Sequence, residues 1–143
     1  MIAKQTAARQ VLFWTGAAFV LGAAAAGASV LFFFNPAQYH FYPICVFHEL
    51  TGLECPGCGG SRALYAVLHG RILDALHCNA LVVFALPLLI YTGVRWLARE
   101  IAGKPHAEFR FRMAWVNLLI GVIVVFTVLR NVPVAPFTFL APP

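Results

Sequence analysis

The chain has 143 residues, of which 62% are hydrophobic and 10% charged; a water-soluble domain is nearer one-half apolar and about one-quarter charged. Ten Lys and Arg with five Asp and Glu cannot cover a soluble surface of this size. A soluble enzyme domain, a disordered chain and a nucleic-acid-binding module are therefore all poor readings, and the net charge of +5 fits charge at a membrane surface better than contact with nucleic acid.

The first uncharged run extends from Val11 to Phe34 and ends at Asn35-Pro36. At 1.5 Å per residue it is long enough for a hydrocarbon core of roughly 30 Å. A basic start at Lys4 and Arg9 and the small residues Ala26-Gly27-Ala28 also resemble a cleaved signal peptide. The apolar run outlasts an ordinary signal core, so a retained span is the expectation. Ala18, Gly22 and Ala26 recur every four residues, a small-residue stripe that suits packing against the chain's other spans or against a second copy. A second span is expected over about 77–97, extendable backwards through Ile72, with a kink at Pro87. A third is expected over about 113–130.

Seven of the ten basic residues (Lys4, Arg9, Arg95, Arg99, Lys104, Arg110 and Arg112) flank one side of these spans, against Arg62, Arg71 and Arg130 on the other. The positive-inside bias then places the N-terminus and the 95–112 link in the cytoplasm, and residues 35–78 and the C-terminal tail outside. The link, with Phe109 and Phe111 among its basic residues, suits contact with anionic headgroups. The expected fold class is an all-α integral membrane protein forming one membrane domain over 1–143. Its three transmembrane helices carry an outward re-entrant or interfacial helical hairpin.

The outward segment 35–78 holds all four cysteines, four of the five histidines and three of the five acids. Cys45 and His48 are spaced C-x-x-H, and Cys55 and Cys58 are spaced C-x-x-C within Cys55-Pro56-Gly57-Cys58-Gly59. Zinc takes four tetrahedral thiolate or imidazole ligands, and a two-residue spacer lets both members of a pair turn to one ion. Pro56 fixes the entry to the turn, Gly57 lies within it, and Gly59 permits positive φ after the second thiolate. Cys45, His48, Cys55 and Cys58 would complete a Cys₃His zinc site with a short loop between the pairs.

Two other readings stand beside it. Cysteines on an oxidising side can form a structural disulfide or remain as buried thiols. They can also be reactive: Ser61 can cap a helix starting near Arg62, which would place Cys58 before a helix N-terminus beside a cation and lower its pKa. Arg62 needs a partner near a membrane, either Glu49, Glu54 or helix-end carbonyls, or else an anionic group.

Leu64, Leu68, Ile72, Ala75 and Leu76 mark a helical face after the turn, with Gly70 dividing it. Asp74, His77 and Cys78 share one helical face and read chiefly as the polar edge of a span. His69 reads as interfacial, as does His40 among its aromatic neighbours.

The run from Cys45 to Leu64, with Thr51-Gly52-Leu53, Cys55-Pro56-Gly57-Cys58-Gly59-Gly60-Ser61-Arg62-Ala63, Leu68-His69-Gly70 and Asn79, resembles a bacterial family of small membrane proteins. That family is numbered 2752 among the domains of unknown function. The tail Leu129-Arg130-Asn131-Val132-Pro133 is similar too. Arg71, where the family tends to have an acid, and Ala80, where a proline often follows Asn79, depart from its pattern. The resemblance implies a membrane topology and a purposeful cysteine turn, and brings no reaction with it.

The expectation is therefore a non-enzymatic scaffold or accessory subunit of a bacterial inner membrane. Its outward knuckle would bind zinc through Cys45, His48, Cys55 and Cys58, with Arg62 orienting or neutralising the site. Its partners would be the lipid bilayer and a second copy or another membrane protein. A membrane thiol–disulfide oxidoreductase using Cys55 and Cys58, and a subunit of an oligomeric transporter, are the alternatives. The topology has a direct test: a reporter fused to the C-terminus should be active only outside the cytoplasm, and a cytoplasmic signal would overturn the three-span arrangement.

Overall fold

In the computed structural model, residues 2–39, 41–103 and 113–140 are described, with side chains from Gln10 onward. His40 and the 104–112 part of the basic link lie outside the described residues. The described elements are five α-helices, α1 (Ile2–Phe33), α2 (Val46–Thr51), α3 (Gly60–Leu68), α4 (Ile72–Ile101) and α5 (Met113–Arg130), followed by a 3-10 turn at Phe137–Leu140. No strand occurs among the described residues.

Three helical stretches, Gln10–Phe33, Ile72–Ile101 and Met113–Arg130, are long and apolar enough to cross a membrane. Their apolar side chains face outward: Val11, Leu12, Phe19, Leu88, Leu89 and Trp115 are all exposed. Such a surface would be untenable in water but is ordinary against lipid, consistent with a multi-pass membrane protein. The stripe Ala18–Gly22–Ala26 is also exposed and is not packed against α4 or α5, and a Cβ added at Gly22 would meet nothing within 4 Å.

The helices meet at one end. Gly70, with φ of 72°, separates α3 from α4 in a conformation that glycine adopts without steric cost. The helical face anticipated beyond Arg62 is thus two helices, the second of which continues into the span. α3 lies close along the start of α4, because the facing residues are alanines: Ala63, Ala66 and Ala75 are buried. Tyr42 anchors the loop after α1 by donating its hydroxyl to the Phe34 carbonyl at 2.7 Å. At the far end, Phe13 of α1 packs against Trp96 of α4, ring centroids 5.1 Å apart.

α4 is broken at Asn79, whose φ of −164° and ψ of 96° are extended rather than helical. Its Oδ1 accepts the Val82 N–H at 3.1 Å, the geometry of an N-cap three residues ahead. Asn79 therefore starts a new helix within α4, and the part from Ala80 to Ile101 is about 33 Å long, a close match to the hydrocarbon core. Asn79→Ala should destabilise the protein by about 3 kcal/mol, combining a lost cap and lost buried hydrogen bonds. Thermal unfolding in detergent measures this, and Thr92→Ala, whose hydroxyl bonds only within α4, should change little.

Candidate functional site

Two short segments converge at the end where the helices meet. Cys45 is the N-cap residue of α2, and Gly52, with φ of 69°, ends that helix so that the chain returns to Cys55. The Cys55–Gly59 turn then delivers Cys58 and hands over to α3 through Gly59, with φ of 75°. A side chain at that backbone angle would be strained. The sulfurs of Cys45 and Cys55 lie 3.3 Å apart, and those of Cys58 and Cys55 lie 3.0 Å apart. All three lie within 4.8 Å of one another, a grouping that could hold a metal ion.

His48 does not join them. Its Nδ1 lies 3.3 Å from the Leu53 carbonyl and 3.4 Å from the Glu54 carboxylate. The C-x-x-H spacing places Cys45 at the cap of α2 and His48 in its first turn, and the ring turns to the loop that follows the helix. Nor do Asp74, His77 and Cys78 form a cluster: His77 packs on Phe139 at 4.1 Å between ring centroids, and Asp74 pairs with Arg71 at 3.8 Å.

The Cys55–Cys58 turn is held from beneath by residues remote in sequence. Arg130, 2% exposed at the end of α5, donates from Nη1 to the Cys55 carbonyl at 3.0 Å and from Nη2 to the Cys58 carbonyl at 3.1 Å. Nη2 also lies 3.8 Å from the Glu54 carboxylate, and the guanidinium lies over the Phe126 ring at 5.2 Å. Asn79 donates from Nδ2 to the carbonyls of Pro56 at 2.9 Å and Cys58 at 3.0 Å. Asn131 pairs with the backbone of Glu54 in both directions, accepting its N–H at 2.8 Å and donating to its carbonyl at 2.9 Å.

The carbonyls of residues 54, 55, 56 and 58 thus all have side-chain donors. That satisfaction is what irregular backbone needs where little water reaches it. Arg130 had read as a flanking charge; its Asn neighbour and the position of Asn79 at the start of a span were the only signals of this floor.

The thiols differ in acidity in the opposite sense to the sequence expectation. Cys45, partly exposed, has its pKa lowered, first by the His48 backbone N–H and then by the Cys58 and Cys55 thiols. Cys58 is pushed up, first by burial and then by its hydrogen bonds to Cys55 and Cys45. Placement ahead of α3 therefore does not activate Cys58, because desolvation outweighs it. The three cysteines open onto a cavity of about 570 Å³ whose walls include Tyr39, Tyr42, His48, Ser61 and Arg62.

These features describe a small helical protein with membrane-length helices and a three-cysteine cluster on a side-chain floor. Residues 45–93 match the family model described as Protein of unknown function (DUF2752), the family that the sequence resembles. The match takes in the three clustered cysteines and Asn79 and stops before Arg130 and Asn131. No curated protein and no solved structure matches the chain.

Arg130→Ala should lower stability by about 3 kcal/mol, since it removes two charge-assisted hydrogen bonds from the turn and leaves Asn79 alone to hold it. Arg130→Lys should recover only part of this, because an ammonium lacks the fork that spans both. Thermal unfolding, with Cys58 alkylation rate as a second readout, checks both variants; alkylation should accelerate as the turn is released.

Proposed function

We propose that this chain is a non-catalytic integral membrane protein, a scaffold or accessory subunit of a bacterial inner membrane. Its outward Cys45–Cys55–Cys58 cluster holds a thiophilic divalent cation, zinc foremost. The convergence of three sulfurs from two separate segments carries the reading. Zn–S bonds of about 2.3 Å in a tetrahedral arrangement require sulfurs about 3.8 Å apart. The two observed separations, 3.3 and 3.0 Å, fall short of that by less than about 1 Å, on the scale of a side-chain rotation.

Charge supports the same reading. Three thiolates around a divalent cation carry one net negative charge, and the buried Arg130 guanidinium lies directly under the turn. Its only described carboxylate neighbour, Glu54, is 3.8 Å away. In this reading His48 is a neighbour of Glu54 and not a ligand. Arg62 lies in the wall of the cavity, and Pro56, Gly57, Gly59 and Ser61 shape the turn.

Cys55 lies between two thiols, so the cluster also has the proximity that thiol–disulfide exchange needs. The metal reading is preferred because three sulfurs from two segments converge, whereas a reactive pair needs only two.

Metal analysis with thiol counting on protein purified in detergent separates the two. One zinc per chain, with Cys45, Cys55 and Cys58 protected and Cys78 independent of the metal, is the expected result. Chelation, Cys45→Ser and Cys55→Ser should each lower Tm by roughly 10 °C, and Cys78→Ser should leave metal content unchanged. Metal-free protein with Cys55 in a disulfide would overturn the proposal in favour of redox chemistry.

A further inference from the structure

Resting on that metal reading, we infer that the ion keeps its fourth coordination position open to the cavity. There it takes an exchangeable small anionic donor from outside the chain. A structural zinc site is closed by four protein ligands, whereas a site with three keeps a position for water or another ligand. Among the described residues, only Cys45, Cys55 and Cys58 group closely enough to share an ion.

His48 and Glu54 also line the cavity but stand outside this group. His48 Nδ1 faces the Leu53 carbonyl and Glu54. The Glu54 carboxylate lies between His48 and Arg130, and its backbone is held at both ends by Asn131.

The space in front of the sulfurs is large. At about 570 Å³ it exceeds by many times the roughly 30 Å³ share of one water molecule, so it admits a ligand of several non-hydrogen atoms. Its sign follows from its walls. Gly60, Ser61 and Arg62, the first turn of α3, line it together with the three cysteines. No side chain caps the N-terminus of α3, which presents the positive end of the helix dipole. Arg62 belongs to the same wall. With three thiolates the centre carries one net negative charge, and the positive end of α3 and Arg62 in the wall offset it, so that an anionic donor competes with water for the open position.

Cobalt(II) substitution of the full chain in detergent tests this, with azide as the probe anion. The visible spectrum should show thiolate-to-cobalt charge transfer, and azide should shift the ligand-field bands saturably without releasing cobalt. His48→Ala should retain both the cobalt spectrum and the azide response. Arg62→Gln should weaken azide about tenfold, the scale of losing one favourable charge of about 1.4 kcal/mol. A cobalt-loaded protein whose spectrum ignores azide would overturn the open position, whatever His48 does, and leave the metal reading standing. Failure to bind cobalt or zinc at all would overturn the metal reading itself and this inference with it.

Discussion

A guanidinium that is 2% exposed at the end of an apolar helix is costly unless acceptors surround it. The Cys55–Cys58 turn has the converse problem, because carbonyls in irregular backbone need donors where water is scarce. In this protein the two terminal nitrogens of the guanidinium and the turn carbonyls satisfy one another, while Nε is buried without a hydrogen-bond partner among the described residues. Arg130 binds the Cys55 and Cys58 carbonyls, and the guanidinium rests on Phe126. The contact joins the last residue of α5 to a turn 72 to 75 positions earlier in the chain. It therefore fixes which ends of α1, α4 and α5 lie together.

Asn79 and Asn131 complete that floor in different ways. Asn131 makes a two-way pairing with Glu54 that works much like a bond between strands. Asn79 uses its two side-chain ends for two tasks: Oδ1 begins the second part of α4 and Nδ2 holds the turn. One residue thus couples the start of a membrane-length helix to the position of the cysteines. With the backbone pinned from below, the thiols line the cavity, and the start of α2 brings Cys45 to them. The order of thiol acidity follows from this: burial raises Cys58, while the backbone N–H at the start of α2 favours the Cys45 thiolate.

Some of this was legible from residue order. Apolar length marked the spans, with α5 at Met113–Arg130 where it was expected and α4 beginning at Ile72 because its first turns are apolar too. Gly70 was visible as a divider. The C-x-x-C spacing placed Cys55 and Cys58 together, since a four-residue turn leaves little choice. The place of His48 was not legible, because a spacing states reach and not direction: α2 is a six-residue helix with no long periodicity to reveal it, and Cys45 joins the cluster while His48 Nδ1 faces Glu54. Ala80 hid the break at Asn79. A proline there would have marked a first helical position after a cap; alanine continues the helical pattern without a signal.

By itself the sequence determined the environment and the raw materials: membrane-length apolar helices, a basic link, and cysteines concentrated in one segment. These are sums over local composition, and hydrophobic length is a local property. Only the tertiary structure decided which donors share a site, that Arg130, Asn79 and Asn131 form its floor, and that the buried thiol is the less acidic one. Those outcomes depend on hydrogen bonds and burial between segments far apart in the chain, and on the direction each side chain takes when the helix ends meet.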